Sequence, residues 1–226
     1  MAHRRRGSAT FEFIRMIQWQ PASLIMAGVG VEFPDVADFH EDFPTATILG
    51  FEPNQHSVEC LKPTFPGELL NVALSDVCGS SSLFFHHNWK NGSSLHLPND
   101  RTSRMREETV TTMRLDQFAV PVDTLLWLDA EGEELRILQG AGESLANVPM
   151  INVEMTGMPR SATGCKPLEV HEFLVAHGYF QTYVHTIRTC RYQFDAVYVK
   201  AELYQPDASS CLDSTIRWMA REYGSK

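Results

Sequence analysis

Residues 23–30 have the sequence SLIMAGVG, in which a short apolar run leads directly into a glycine-containing turn. A run of this length that ends at turn residues is typical of a β-strand. Gly28 and Gly30 would let a ligand approach the backbone closely, because glycine has no side chain. The segment therefore predicts a first strand with a ligand site at its carboxyl end.

Apolar segments alternate with helical segments along the rest of the chain. Further strands are predicted at residues 45–51, 69–74, 81–86, 110–113, 124–128, 150–154, 180–184 and 196–200. Helices are predicted at residues 35–42, directly after Asn54, at residues 133–139 with a break at Gly140, and at residues 168–177. This order is typical of an α/β fold, and residues 124–128 lack polar alternation, as expected of a strand buried on both faces.

The length of 226 residues suits one domain over residues 1–226. Residues 1–20 are predicted to be a basic N-terminal extension and residues 203–226 a C-terminal tail. Residues 87–108 form a polar insertion between two strands, and loops of that length are often functional lids. Since no repeat or linker is evident, a second domain is not expected.

Charge and cysteine usage limit the expected partners. The formal net charge of −9 disfavours binding to nucleic acid or anionic lipid. The longest apolar run is too short to cross a bilayer, and no secretory signal is predicted. Five cysteines without a C-x-x-C pair predict reduced thiols in a cytoplasmic protein and no metal site. The expected partner is a small molecule, and a homo-oligomer is left open.

Carboxylates and glycines gather at the carboxyl ends of the predicted strands. Glu52 closes the second strand 24 residues after Gly28, near the separation of about 20 at which a carboxylate binds ribose hydroxyls in dinucleotide sites. Asp129 and Glu131 follow the strand at residues 124–128. Together these residues predict a site for an adenosine-containing ligand.

A nicotinamide cofactor is one such ligand, but its glycine fingerprint is incomplete. Gly30 is not followed by a third glycine, and Glu32 would bring negative charge near a bound pyrophosphate. S-adenosylmethionine (SAM) has no phosphate and tolerates both departures. An oxidoreductase or nucleotide-sugar enzyme is therefore disfavoured, and a non-catalytic binding or scaffold protein stays an alternative.

Several segments resemble the FkbM-type SAM-dependent methyltransferases. They are Phe51-Glu52-Pro53-Asn54, Asn71-Val72-Ala73-Leu74-Ser75-Asp76, Asn91-Gly92-Ser93-Ser94-Leu95, residues 113–118 and Asp129-Ala130-Glu131-Gly132-Glu133-Glu134. The resemblance implies a class I, Rossmann-like methyltransferase fold with a mostly parallel seven-stranded sheet, helices on both faces and an antiparallel last strand. It also implies SAM as methyl donor and O-methylation of a sugar-like or natural-product hydroxyl.

The resemblance further implies roles for individual residues. Gly28 and Gly30 would line the methionine side of SAM, Glu52 would hold the ribose, and Asp129 would face the SAM amino group or the reaction centre. The implied cofactor-binding residues are Gly28, Gly30, Glu52, Pro53, Asn54, Ala73, Leu74, Ser75 and Asp129. Met26 stands where the family usually has an acid, which keeps a divergent, inactive member among the alternatives.

Catalysis needs a base, because an aliphatic hydroxyl is a poor nucleophile at neutral pH. Asp129 and Glu131 are the predicted catalytic residues, with Glu154, His86 and His87 as further candidates. Neighbouring carboxylates raise one another's pKa, which suits a base that works near neutrality.

The polar insertion at residues 87–108 is predicted to close over the acceptor. Trp89 would stack on a sugar-like face, and an arginine would pair with an anionic group on the acceptor. The basic residues of the insertion are Lys90, Arg101, Arg104 and Arg106.

Overall fold

The secondary structure comes from a computed structural model that describes residues 9–32, 34–86, 92–99, 105–157, 161–186 and 193–203. The helices are α1 (Ala9–Met16), α2 (Pro34–Asp42), α3 (Gln55–Leu61), α4 (Glu134–Ala141) and α5 (Pro167–Ala176). The strands are β1 (Ser23–Ala27), β2 (Thr47–Phe51), β3 (Glu68–Leu70), β4 (Ala73–Leu74), β5 (Gly79–His86), β6 (Met105–Met113), β7 (Thr124–Leu128), β8 (Met150–Thr156), β9 (Tyr179–Thr186) and β10 (Gln193–Lys200). Two short 3₁₀ helices cover Leu115–Gln117 and Gly142–Asn147.

A seven-stranded sheet in the order β3-β2-β1-β7-β8-β10-β9 forms the centre of the fold. The pairs from β3 to β8 are parallel, whereas β10 runs antiparallel to both β8 and β9. The predicted mostly parallel sheet with an antiparallel last strand is confirmed. The chain order reverses between β1 and β7, and this switch point is where open α/β sheets bind ligands.

Helices cover both faces of the sheet, as predicted. One face packs against α4 and α5 through residues such as Leu138 and Leu174, and the other packs against α1, α2 and α3. Successive residues of β1 point to opposite faces of the sheet. Ile25 belongs to the core on the α4 and α5 side, and Leu24 belongs to the core on the α1, α2 and α3 side. All five residues of β1 and of β7 are buried, which explains their unbroken apolar sequences.

The predicted third strand at residues 69–74 is in fact two strands in two sheets. β3 ends the central sheet, while β4 joins β6 and β5 in a separate three-stranded sheet. The chain turns between them at Asn71, whose side-chain amide donates to the backbone carbonyls of Glu52 and Pro53 at 3.0 and 2.9 Å. This turn brings the residues after Asn71 alongside the end of β2.

The predicted polar insertion at residues 87–108 is shorter than expected. β5 and β6 pair antiparallel from Gly79 opposite Thr112 to His86 opposite Met105, so residues 105–108 are strand. Their polar side chains concealed the strand because β6 is largely exposed there, and its pairing with β5 depends on backbone hydrogen bonds rather than burial. Residues 87–91 and 100–104 lie outside the described residues.

The helix break predicted at Gly140 is wrong, because α4 continues to Ala141. A Cβ atom at Gly140 would lie 2.1 Å from the carbonyl oxygen of Ser75. This glycine therefore serves close packing between α4 and the segment after β4, and it does not end the helix.

The N-terminal extension predicted over residues 1–20 contains a helix that belongs to the core. Phe11 and Ile14 of α1 are 0% exposed, and the Phe11 ring lies 5.5 Å from that of Trp127. The Thr10 hydroxyl also donates to the side-chain oxygen of Asn152 on β8 at 2.6 Å. The basic residues at the start of the chain obscured the apolar face of these eight residues. Residues 1–8 and the tail at 204–226 lie outside the described residues.

Within the part of the chain that the structure describes, no helix combines the length and the apolar character needed to cross a bilayer.

Phe11→Ala should lower the free energy of unfolding by about 3–5 kcal/mol, because it leaves a cavity where an aromatic ring was fully buried. Chemical denaturation measures this change. The matched control is Met16→Ala on the same helix, where the side chain is 63% exposed and little change is expected. Equal stability of the two variants would contradict the packing of α1 against the sheet.

Candidate active site

A cavity of about 460 Å³ opens at the carboxyl ends of β1, β2, β7 and β8. Its volume lies within the range of about 300–1,000 Å³ that is usual for small-molecule sites. The predicted site residues that line it are Gly28, Gly30, Glu52, Pro53, Ala73, Leu74, Asp129 and Glu131. The fold therefore brings most of the predicted residues to one place.

The turn after β1 depends on two glycines with positive φ, +82° at Gly28 and +73° at Gly30. A Cβ atom at Gly28 would lie 1.8 Å from the carbonyl oxygen of Asp129, so another residue there would force β1 and β7 apart. The Gly28 backbone amide donates to the carbonyl of Phe51 at 2.9 Å. The turn is thus held between β2 and β7 and faces the cavity.

Glu52 links this turn to the end of β2. Its side chain is 2% exposed, one carboxylate oxygen accepts from the backbone amide of Gly30 at 2.7 Å, and the other accepts from that of Asn54 at 2.8 Å. Burial raises the pKa of Glu52 to about 7, although these two hydrogen bonds favour the charged form. Each oxygen keeps a second lone pair for a ligand.

Asn54 and Ser75 are predicted cofactor residues that do not line the cavity. The Asn54 side chain caps α3 by accepting from the backbone amide of Ser57 at 3.1 Å. The Ser75 hydroxyl donates to a carboxylate oxygen of Glu133 at 2.5 Å. Both residues therefore support the loops around the site rather than its surface.

The turn after β7 is held by Glu134, the last residue of the D-x-E-G-x-E segment. Its carboxylate accepts from the backbone amides of Ala130 at 3.0 Å and Gly132 at 3.1 Å, and from the thiol of Cys165 at 3.1 Å. Burial raises the pKa of Glu134. These contacts fix the backbone of Glu131, whose φ of +49° is unusual for a residue with a side chain.

Three carboxylates meet beside that turn. Ligand atoms of Asp129, Glu131 and Glu154 all lie within 4.8 Å of one another. Burial raises the pKa of Asp129 well above its ordinary value, and a hydrogen bond and charge repulsion from Glu154 act in the same direction. Glu154 was a secondary candidate, predicted from its position at the end of the strand at residues 150–154.

Oxygen ligands this close together have the spacing of a magnesium or calcium site. Acidic groups are also common without an ion. The absence of a metal site therefore stays a prediction from the sequence.

Residues 92–99, part of the insertion predicted at residues 87–108, cover one side of the cavity. His96 is 3% exposed, with Nε2 at 2.8 Å from a carboxylate oxygen of Glu133 and Nδ1 at 2.9 Å from the hydroxyl of Thr163. The Ser94 hydroxyl donates to the backbone carbonyl of Glu131 at 2.8 Å. The sequence signals for this segment were the length of the polar insertion and the resemblance over residues 91–95.

The described residues that line the cavity are acidic or neutral. The acidic ones are Glu32, Asp35, Glu52, Asp129, Glu131, Glu133 and Glu154, and none of the described lining residues is a lysine, an arginine or a histidine. Met26 lines the same cavity at the position where an acid was expected, and Glu32 brings a carboxylate nearby.

The predicted basic contacts to the acceptor are not found among the described residues. Arg106 is exposed on β6 and does not line the cavity. The other residues named for that loop (His87, Trp89, Lys90, Arg101 and Arg104) lie outside the described residues, and so does the side chain of His86.

The fold has counterparts among known proteins. A family model described as the methyltransferase FkbM domain matches residues 25–180. No curated protein matches the chain. The solved structure of magnesium protoporphyrin IX methyltransferase (ChlM) from Synechocystis PCC 6803 with bound SAM is similar, with a TM-score of 0.51 and 10% identity over 85% of this chain and 76% of that chain. The plantazolicin methyltransferase BpumL in complex with SAH is also similar, with a TM-score of 0.50 and 8% identity over 84% and 79% of the two chains. At these identities the likeness concerns the fold.

Buried acids with raised pKa values should make the ligand-free protein less stable at higher pH. Glu52 binds its proton more tightly in the folded chain, so its contribution is fully present below about pH 4.5 and is lost as the pH rises through about 7. Asp35 acts in the same direction, with a pKa raised to about 6 by burial. Urea unfolding at a series of pH values should show the decrease, and Glu52→Gln should flatten it. A free energy of unfolding that rises across this interval would contradict the assignment.

Proposed function

This chain belongs to the FkbM family of SAM-dependent methyltransferases, and we propose that it methylates a hydroxyl group of a sugar-like or small natural-product acceptor. Membership excludes the oxidoreductase and nucleotide-sugar alternatives, and SAM is the methyl donor. The observation that carries the proposal is the acidic cavity at the switch point of the sheet, where the glycine turn, Glu52 and the carboxylate cluster face one another.

The donor would bind with its ribose at Glu52. Both carboxylate oxygens there already accept a backbone amide, and each has a lone pair left for one ribose hydroxyl. The adenine would lie against Ala73 and Leu74, which line the cavity next to Pro53. The methionine part would follow the turn at Gly28 and Gly30.

The charge of the cavity suits this donor. SAM carries a positive sulfonium, whereas its product S-adenosylhomocysteine (SAH) has lost that charge. A low-dielectric cavity lined by carboxylates attracts a cation more strongly than a neutral ligand of the same shape. The donor would therefore bind at the acidic surface with its amino group or sulfonium near Asp129.

The chemistry requires alignment and a base. Methyl transfer is an in-line displacement, so holding the acceptor oxygen opposite the departing sulfur supplies much of the rate. A hydroxyl must also lose its proton, and a positioned base typically contributes about 10²–10⁴-fold. Asp129 and Glu131 are the proposed catalytic residues, since their carboxylates lie together at the cavity wall and the pKa of Asp129 is raised.

The negative charge of the cavity wall also bears on the acceptor, because it would repel an anionic one. The sequence favoured an anionic group held by arginines, but the described cavity wall carries only negative charge. We therefore propose a neutral, hydroxyl-rich acceptor.

Glu52→Ala should weaken SAM binding by about ten- to a hundredfold, because it removes the hydrogen bonds to the ribose. Titration calorimetry measures the affinity, and thermal melting shows whether the variant is folded. The matched control is Glu59→Ala, an exposed acid on α3 that should leave the affinity unchanged. Wild-type affinity in Glu52→Ala, or stabilisation of the protein by NAD instead of SAM, would contradict the proposed donor site.

Incubation with SAM and a panel of neutral polyols and glycosides should yield SAH together with a product methylated on oxygen. With an acceptor in hand, Asp129→Asn or Glu131→Gln should lower kcat by about 10²–10⁴-fold for at least one variant while changing SAM affinity much less. Mass spectrometry and NMR identify the methylated atom. The matched control is Glu143→Gln, which changes an exposed acid in the 3₁₀ helix that follows α4. Methylation on nitrogen or carbon would contradict O-methylation, and wild-type rates in both variants would move the base elsewhere.

A further inference from the structure

Residues 92–96 pass between the cavity and the turn after β7, and their side chains alternate between these two neighbours. Ser93 and Leu95 line the cavity. Ser94 and His96 contact the turn instead, through a hydrogen bond and through ring packing. Alternation of this kind is expected of extended backbone, in which successive side chains point to opposite sides. One short segment therefore borders both the space for a ligand and the turn.

Ser94 connects three parts of the molecule. Its hydroxyl donates to the backbone carbonyl of Glu131 at 2.8 Å and accepts from the backbone amide of His96 at 3.0 Å. Its own backbone amide and carbonyl both hydrogen-bond to Phe84 of β5, at 2.9 and 2.8 Å. The His96 ring packs on Gly132, where a Cβ atom would lie 3.1 Å from the ring carbon Cδ2. The segment is thus fixed to β5 and to the turn at the same time.

The backbone of Glu131 needs such support. Its φ is +49°, and the next residue, Gly132, has a φ of +108°. A residue with a side chain keeps a positive φ only where surrounding contacts hold it. The contact from Ser94 is made to Glu131 itself, and the Glu131 carboxylate lies close to those of Asp129 and Glu154. Loss of the Ser94 hydroxyl would therefore release this backbone and let the carboxylate move from its place in the cavity wall.

The other side of the segment belongs to the apolar part of the cavity. Leu95 lies there with residues of β4 and β5, among them Leu83, which is 1% exposed. The apolar lining residues of this part are Val72, Ala73, Leu74, Leu83 and Leu95. Apolar linings of this kind bind the flat faces of ring systems, and the proposed donor placement puts the adenine here. A ligand that rests on Leu95 would also steady Ser94, its direct neighbour in the chain.

We propose that Ser94 is a positioning residue that acts through Glu131: it holds the Glu131 backbone so that the carboxylate stays in the cavity wall, and it does so more firmly once the adenosine part of the donor rests on Leu95. The donor then helps to arrange the turn before the acceptor binds. The adenosine placement and the catalytic role of Glu131 rest on the proposed function. The link between Leu95 and the turn requires no acceptor.

Amide hydrogen exchange of the full chain, followed by NMR, tests the link. The ligand is 5′-methylthioadenosine, which has the adenosine part of SAM and lacks its amino-acid part. The reporters of the turn are the amides of Ala130 and Gly132, which donate to Glu134, and that of Cys165, which donates to the Gly132 carbonyl. Exchange of these amides should slow by up to about a hundredfold at a ligand concentration of about 100 times the Kd, if opening of the turn abolishes binding.

A second pair of amides shows whether the ligand has bound. Gly30 and Asn54 donate to the Glu52 carboxylate, where the ribose is proposed to lie, and their exchange should slow as well. Slowing at Gly30 and Asn54 without slowing in the turn of the wild-type protein would overturn the proposed link. Slowing at neither place would overturn both the link and the donor placement.

Ser94→Ala tests the positioning residue. The variant should still slow exchange at Gly30 and Asn54 on binding the ligand, but the slowing in the turn should be lost. Ser94→Thr keeps the hydroxyl and should restore it. A merely structural role would speed exchange in the turn by the same factor with and without ligand and leave their ratio unchanged, which would overturn the proposal.

Two matched controls accompany these variants. Ser82→Ala removes a hydroxyl that donates to Glu107 on the exposed hairpin, and it should keep the wild-type exchange ratio. Leu95→Ala should weaken binding of 5′-methylthioadenosine by about fivefold or more, since it removes apolar contact area. Leu97→Ala makes the same truncation at a residue that is not among the described residues lining the cavity, and it should bind the ligand normally. Equal affinities of the two leucine variants would contradict the role of Leu95.

The outcomes separate this link from the proposed function. O-methylation in a protein whose turn does not respond to 5′-methylthioadenosine would reject the role of Ser94 and leave the proposed function standing. A turn that responds through Ser94, in a protein that methylates only nitrogen or carbon, would support the link and reject the hydroxyl acceptor.

Discussion

The close contact between Gly28 and the backbone of Asp129 is the constraint on which the rest of the site depends. A Cβ atom at Gly28 would overlap the carbonyl oxygen of Asp129, and the amide of Asp129 donates to the carbonyl of Ala27 at 2.9 Å. These contacts join β1 to β7 at the point where the order of the strands reverses. The cavity, the glycine turn after β1 and the carboxylate cluster exist because the two strand ends approach this closely.

The site concentrates negative charge, and hydrogen bonds from the surrounding structure limit the free-energy cost of burying it. Glu52 and Glu134 are buried, but each accepts hydrogen bonds from backbone amides of the turn it holds. Glu133 contacts Ser75 and His96. Asp129 hydrogen-bonds to the carboxyl group of Glu154. The backbone partners of Glu52 and Glu134 hold the turns of the cavity wall, whereas burial and the neighbouring carboxylate of Glu154 raise the pKa of Asp129.

Some elements were predictable because their signals are local. β1, β7 and α3 lie where their apolar runs and the Asn54 cap indicated, and the glycine and Glu52 spacing indicated an adenosine ligand. Other elements depend on partners distant in the chain. α1 is a core helix because Phe11 meets Trp127, and residues 71–74 leave the central sheet because Asn71 hydrogen-bonds to the end of β2. Neither contact has a signature in the residues around it.

By itself, the sequence determined the class of fold and the set of strand-end residues, since hydrophobic period, glycines and caps act within a few residues of the chain. Only the tertiary structure decided which carboxylates share a surface. β10 lies between β8 and β9, and this arrangement brings Asp195 opposite Glu154, which is itself beside Asp129. Proton affinity depends on the distances between charges and on their burial, and both are set by strand order and register across the sheet.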